Sequence, residues 1–247
     1  MRNRSATSWC APAGNRHGKA QRGRAERSRV CSHRIALKFL FHVKHPPSDV
    51  AALLSVSETL EVPLSASQAD LLLRLERLLA DRAIPFGMVA SSDAARLRER
   101  HILDCLRAAA EVEDAVSAYD LGSGAGLPGL VIAIAAPDLR VVLVDGRRRR
   151  ASFLELAVED LGLTNVEVRG GRVEDLSERV DLCFSRAFAP LAAAWSAAER
   201  ILSVRGRLVY FAGSETSTEP PTGARVLSVR TTPVLESAGP LVIMGRQ

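Results

Sequence analysis

The stretch Tyr119-Asp120-Leu121-Gly122-Ser123-Gly124-Ala125-Gly126-Leu127-Pro128-Gly129 limits the fold more than any other part of this chain. Four glycines within eight residues fit neither a helix interior nor a strand. The apolar residues 115–119 before them read as a strand, and residues 130–136 after them read as a helix. A glycine cluster between the two permits positive φ and, lacking Cβ atoms, lets another molecule approach the backbone. This is the architecture of a ligand seat at a helix N-terminus.

Beyond the loop, strand and helix alternate. Val141-Val142-Leu143-Val144 is a continuous β-branched and aliphatic run ending at Asp145, which predicts a strand buried on both faces. Residues 148–161 predict a helix with Phe153, Leu154, Ala157, Val158 and Leu161 inward, closed by Gly162. Strands are expected at 166–169, 182–185 and 207–211, a helix at 189–202, and a closing antiparallel pair at 225–229 and 241–244. Repeated β-α-β units imply an α/β fold with a mostly parallel, seven-stranded sheet covered by helices on both faces.

Ahead of the sheet the sequence is different in kind. Val50, Leu53 and Leu54 recur at helical spacing. Ser67 is expected to cap a helix with Leu71, Leu72, Leu75, Leu78 and Leu79 inward, broken by Pro85 and Gly87. Ser91-Ser92-Asp93 is expected to cap another helix reaching Ala110, with Leu97, His101, Ile102 and Cys105 on one side. Three regions result: a basic extension over 1–45, a helical cap over 46–112 and a ligand-binding domain over 113–247.

The extension decides how charge is read. The whole chain carries a formal net charge of +5, but residues 1–45 hold 11 Lys or Arg and one acid, while the rest holds 22 basic and 27 acidic residues. A basic pI argues for nucleic acid, and here that argument applies to the extension; the body needs local arginine clusters, such as Arg147 to Arg150, to touch phosphates. The extension has the composition of a disordered segment. Two readings of it stay open: a basic arm that tracks phosphates, or a stretch foreign to the native protein, with translation starting at a non-AUG codon near Val43.

No run approaches the roughly 18 apolar residues of a membrane span, and the N-terminus lacks a signal peptide's apolar block, so a cytoplasmic protein without a membrane partner is expected. Cys10, Cys31, Cys105 and Cys183 show no C-x-x-C spacing, so free thiols are expected, and no metal site. His101 reads as structural or substrate-facing. Nothing specifies the oligomeric state.

Which ligand the loop holds turns on spacing. In an open α/β sheet the site lies beyond the carboxyl ends of the strands, where Gly122 to Gly126, Asp145, Val173 with Glu174, and Arg186 should converge. Asp145 comes 23 residues after Gly122, a distance suited to an acid that binds ribose hydroxyls. A dinucleotide fold wants G-x-G-x-x-G; here the third glycine comes one residue early and Leu127 stands in its place. With Asp120 in front, D-x-G-x-G-x-G resembles the loop of Rossmann-like class I S-adenosylmethionine methyltransferases.

Taken with Arg100-His101-Ile102-Leu103-Asp104, Arg172-Val173-Glu174 and Ser185-Arg186-Ala187-Phe188, the sequence Gly122-Ser-Gly-Ala-Gly-Leu-Pro-Gly resembles one family, GidB or RsmG. The resemblance runs from about Leu71 to Arg207. It implies S-adenosylmethionine as cofactor, 16S ribosomal RNA or the small ribosomal subunit as partner, and methylation of guanine N7. It also implies cofactor contacts at Gly122, Leu127, Asp145, Val173, Glu174 and Arg186. Val173 and Glu174 would suit the adenine; Arg186 would pair with the cofactor carboxylate or an RNA phosphate, or serve in a structural salt bridge. Guanine N7 has a lone pair and no proton, so alignment suffices and no catalytic acid or base is nominated.

Two segments depart from the family pattern. Ile84-Pro85-Phe86-Gly87-Met88-Val89 has no asparagine where an Asn-rich segment is usual, and Tyr210-Phe211-Ala212-Gly213 has no lysine where Leu-Lys-Gly is usual. Alternatives therefore stay in view: a diverged paralogue methylating another RNA or a small molecule, or a non-catalytic relative that binds cofactor or RNA.

Overall fold

Seven strands make one sheet in the order β3-β2-β1-β4-β5-β7-β6. They are β1 (Ser117–Leu121), β2 (Arg140–Asp145), β3 (Val166–Gly170), β4 (Val180–Arg186), β5 (Leu202–Phe211), β6 (Ala224–Arg230) and β7 (Leu241–Arg246). The computed structural model describes residues 47–213 and 219–247, and these fall in a single unit that spans Lys44–Gln247. The expected character of residues 1–45 lies outside the described residues.

The first five strands run parallel; β7 runs antiparallel to both β5 and β6. Central β1 pairs with β2 on one side and β4 on the other, so Tyr119 and Leu121 are fully buried, as are Val141, Val142 and Leu143. That double burial is why the sequence reads here as continuous apolar runs without alternation. The strand order reverses between β1 and β4, which opens a crevice at their carboxyl ends.

The helices are α1 (Pro47–Thr59), α2 (Ala66–Leu78), α3 (Gly129–Ala135), α4 (Arg148–Leu161) and α5 (Leu191–Ile201). Three expectations about the helical cap need correction. Ser65, rather than Ser67, caps α2: Ser65 and Gln68 form a reciprocal capping box, and the Gln68 amide also donates to Ile134 O and Ala135 O at the end of α3. Leu73 joins Leu72, Leu75 and Leu78 in the core, whereas Leu71 is only half-buried. Nor is 91–110 one regular helix. It is a succession of 3-10, π and short α turns from Ser91 to Glu111, with Ile102, Cys105 and Leu106 buried and Asp104 and Arg107 bonded to Arg186 and Gly239 of the sheet domain.

Trp195 and Ala198 of α5 pack with Tyr119, Val142, Cys183 and Leu208 in one apolar cluster under the sheet. Leu143 lies on the other face, against Gly129 of α3. Cys105 and Cys183 are free and buried; burial pushes the Cys105 thiol up to about 12, so neither is a nucleophile. Among the described residues no helix is long and apolar enough to cross a membrane.

Candidate functional site

The glycine loop is fixed by two buried carboxylates. Asp120, near the end of β1, accepts from Gly129 N through Oδ2 at 3.0 Å, and its Oδ1 is buried without a partner. A Cβ on Gly129 would sit 2.7 Å from Asp120 Oδ2 and 2.2 Å from Leu143, so this glycine is what lets the carboxylate reach the helix start. Burial pushes the Asp120 carboxyl up to about 6, against hydrogen bonding to Ser123 and Gly129 that pulls it down.

Asp145 anchors the other side. Its Oδ2 accepts from Gly124 N at 3.0 Å and its Oδ1 from Arg147 N at 2.8 Å, with Arg150 Nη1 at 3.5 Å. Both oxygens are thus engaged with this chain's own backbone, and only 4% of the residue is exposed. Asp145 thus clamps the loop, and each of its carboxylate oxygens keeps a further lone pair for the expected ribose hydroxyls. The reason is register: β2 ends one strand away from the loop, within reach of its amides.

Gly122 occupies the centre. Its φ is +70°, and a Cβ there would lie 2.5 Å from the Phe188 ring. Two cavities meet at its backbone. The smaller, about 220 Å³, is lined by Gly122, Val144, Gly146, Gly171, Arg172, Val173, Glu174 and Phe188. The larger, about 830 Å³, runs from Gly122 and Leu127 past Arg186, His101 and Asp104 to Tyr210 and the loop Glu236–Gly239. Five of the six expected contacts line these spaces: Val173 and Glu174 the smaller, Leu127 and Arg186 the larger, Gly122 both. Asp145 lines neither.

Arg186, at the tip of β4, is held from three sides. Its Nε donates to Asp104 Oδ2 at 3.2 Å, and its Nη2 to Arg100 O at 2.9 Å and to His101 Nδ1 at 3.1 Å. These bonds use Nε and Nη2 and leave Nη1 to spare. Because a guanidinium only donates, His101 Nδ1 must accept, and Nε2 carries the proton given to Asp93 at 3.0 Å. Burial and the Arg186 charge hold His101 below its ordinary value, opposed by Asp93, so the ring is neutral at pH 7. The next residue, Ala187, takes a φ of 53°, a turn that swings Phe188 under Gly122.

Sequence reasoning missed the far wall. Arg107 is 5% exposed; it bonds Asp104 at 2.8 Å and Gly239 O at 2.8 Å, tying the Glu236–Gly239 loop to the helical cap. No spacing rule links positions 132 residues apart. Phe188 could have been found, since it closes the Ser-Arg-Ala-Phe motif.

A seven-stranded α/β sheet with a glycine loop and an acid at the switch point defines a Rossmann-like methyltransferase fold. Solved structures agree at the level of fold: the mitomycin 7-O-methyltransferase MmcR superposes with a TM-score of 0.50 at 15% identity, covering 78% of this chain and 76% of that one. Residues 68–237 match the family described as rRNA small subunit methyltransferase G. The ribosomal RNA small subunit methyltransferase G of a Nocardioides species is 38% identical over 167 residues, 67% of each chain. That of Mycolicibacterium gilvum is 36% identical over 190 residues, 74% of this chain and 78% of its own. The chain belongs to this family, and is an S-adenosylmethionine-dependent methyltransferase acting on ribosomal RNA.

Proposed function

We propose that the protein methylates N7 of a guanine in 16S ribosomal RNA, as free RNA or within the small subunit, with S-adenosylmethionine lying across the Gly122 backbone. The observation that carries this reading is the meeting of the two cavities there. The smaller combines apolar walls, Val144, Val173 and Phe188, with the Glu174 carboxylate, a setting for the adenine. Leu127 and Arg186 border the larger cavity, which has room for the methionine end and an incoming base. Bound there, the cofactor would supply an electrophilic methyl group. The chain's own part is to orient the acceptor and exclude water. Neutral His101 has both nitrogens engaged, which suits an acceptor with no proton to remove. A cytoplasmic location follows from the ribosomal substrate.

The departures from the family pattern favour a second reading of the acceptor alone. Met88, Val89 and Tyr210 to Gly213 all line the larger cavity, where a base would enter. One experiment separates the readings: purified protein, labelled S-adenosylmethionine and small subunits lacking the modification, with the product mapped by cleavage at N7-methylguanine. A single guanine labelled at N7 is expected. Label at another position, or none on RNA while calorimetry shows cofactor binding, would replace guanine N7 by a different acceptor.

A further inference from the structure

We propose that Phe86 and Arg149 form a stacking platform for an unpaired base of the RNA substrate, beside the larger cavity. The inference rests on the ribosomal RNA reading and adds a contact outside the cofactor seat. Phe86 stands on the turn after α2 with 49% of its surface exposed, and it is the one aromatic among the exposed large apolar side chains of the described residues. Its neighbour Gly87 has a φ of +67° and open space where a Cβ would stand, and residues 85–87 are exposed. The Arg149 guanidinium lies over the ring, 4.7 Å from its centroid, and Arg149 is itself exposed.

The position matters as much as the pair. Met88, two residues from Phe86 and so within about 7 Å along the chain, lines the larger cavity, as does Arg150 next to Arg149. Arg147, Arg148 and Arg149 make no ion pair among the described residues, whereas Arg150 is taken by Asp145. Three uncompensated cations on an otherwise acidic body create a local field for phosphates. A phenyl ring carrying a planar cation gives a sequence-tolerant surface on which a base can continue the stack. Shielding of the ring by an arginine stem would explain the contact, but not why the turn leaves half of an aromatic exposed beside the acceptor cavity.

The test measures methylation of intact small subunits at varied concentration and salt. Phe86→Ala is expected to raise the subunit KM about tenfold, with kcat, cofactor affinity and Tm unchanged, and Phe86→Trp to restore it. Arg149→Ala is expected to raise KM and to lower the slope of log affinity against log salt by about one unit; Phe86→Ala leaves that slope alone. An unchanged KM for Phe86→Ala in an active enzyme overturns the platform by itself. So does a fall in Tm and cofactor affinity with no separate KM effect, which assigns the ring to internal packing. A KM defect on intact subunits that is absent on bare 16S RNA would assign it to a ribosomal protein. Wild-type protein that neither binds nor methylates subunits overturns the ribosomal reading and the platform with it.

Discussion

The two sides of the glycine loop are built differently. On the inner side the loop is bonded or wedged at several positions: Asp120 holds Gly129, Asp145 holds Gly124 and Arg147, and Phe188 lies under Gly122. On the outer side Phe86, Arg149 and Glu236 are exposed, and none of the three enters an ion pair among the described residues. The inner side must present one fixed geometry to a small ligand, so its polar groups are spent on the protein itself. The outer side, where we propose that the RNA docks, keeps its groups available for a large, charged partner.

Gly122 gives the harshest test of this division. Gly122→Val puts a β-branched residue at φ +70° with its Cβ against Phe188, and is expected to destabilise by about 3–5 kcal/mol and to abolish cofactor binding. Chemical denaturation and calorimetry read the two effects. A fully stable variant that still binds would mean the loop is not the seat.

Asp120 is next. Its folded carboxyl keeps the proton up to about pH 6, whereas the ordinary value is 3.8. The stability this confers is complete below pH 3.8 and is lost as pH rises through about 6. Asp120→Asn cannot ionise, so its stability relative to wild type should climb by up to about 3 kcal/mol between about pH 4 and about pH 7. A pH-independent difference in thermal melts would show that the carboxylate is not desolvated in the fold.

Gly124 separates backbone strain from crowding within the loop. Its φ is +60°, but a Cβ there would meet nothing closer than 3.8 Å. Gly124→Ala should therefore cost about 1 kcal/mol from backbone strain alone, with cofactor affinity reduced far less than in Gly122→Val. Equal losses would assign the effect of both to the backbone rather than to Phe188. The smallest effect belongs to the outer side: Glu236→Gln should shift stability by less than about 0.5 kcal/mol and leave cofactor affinity as it is. A large loss of either would place this loop in the seat.

Much of the seat is legible in the amino-acid sequence. The early third glycine, Asp120 before it and Asp145 after it indicate the class of ligand, and the alternation of apolar runs indicates a mostly parallel sheet. Asp145 shows the limit of that reasoning. Its type and position can be read, but its hydrogen-bond partners cannot, because spacing along the chain does not say whether a carboxylate faces a ligand or a neighbouring amide. Arg186 is similar: the motif marks it, and only the packing of the helical cap against β4 shows it holding Asp104 and His101.

Sequence alone suffices for the succession of strands and helices in the sheet domain, the turn that needs glycine, and the family, since these rest on local backbone sterics and on burial patterns of period 2 and 3.6. The cavity's far wall, where Arg107 draws in Gly239, and the pairing of Phe86 with Arg149 exist only in the folded chain. These contacts join segments 132 and 63 residues apart in the chain. Their energy comes from charge and shape meeting in space, and no local pattern encodes that.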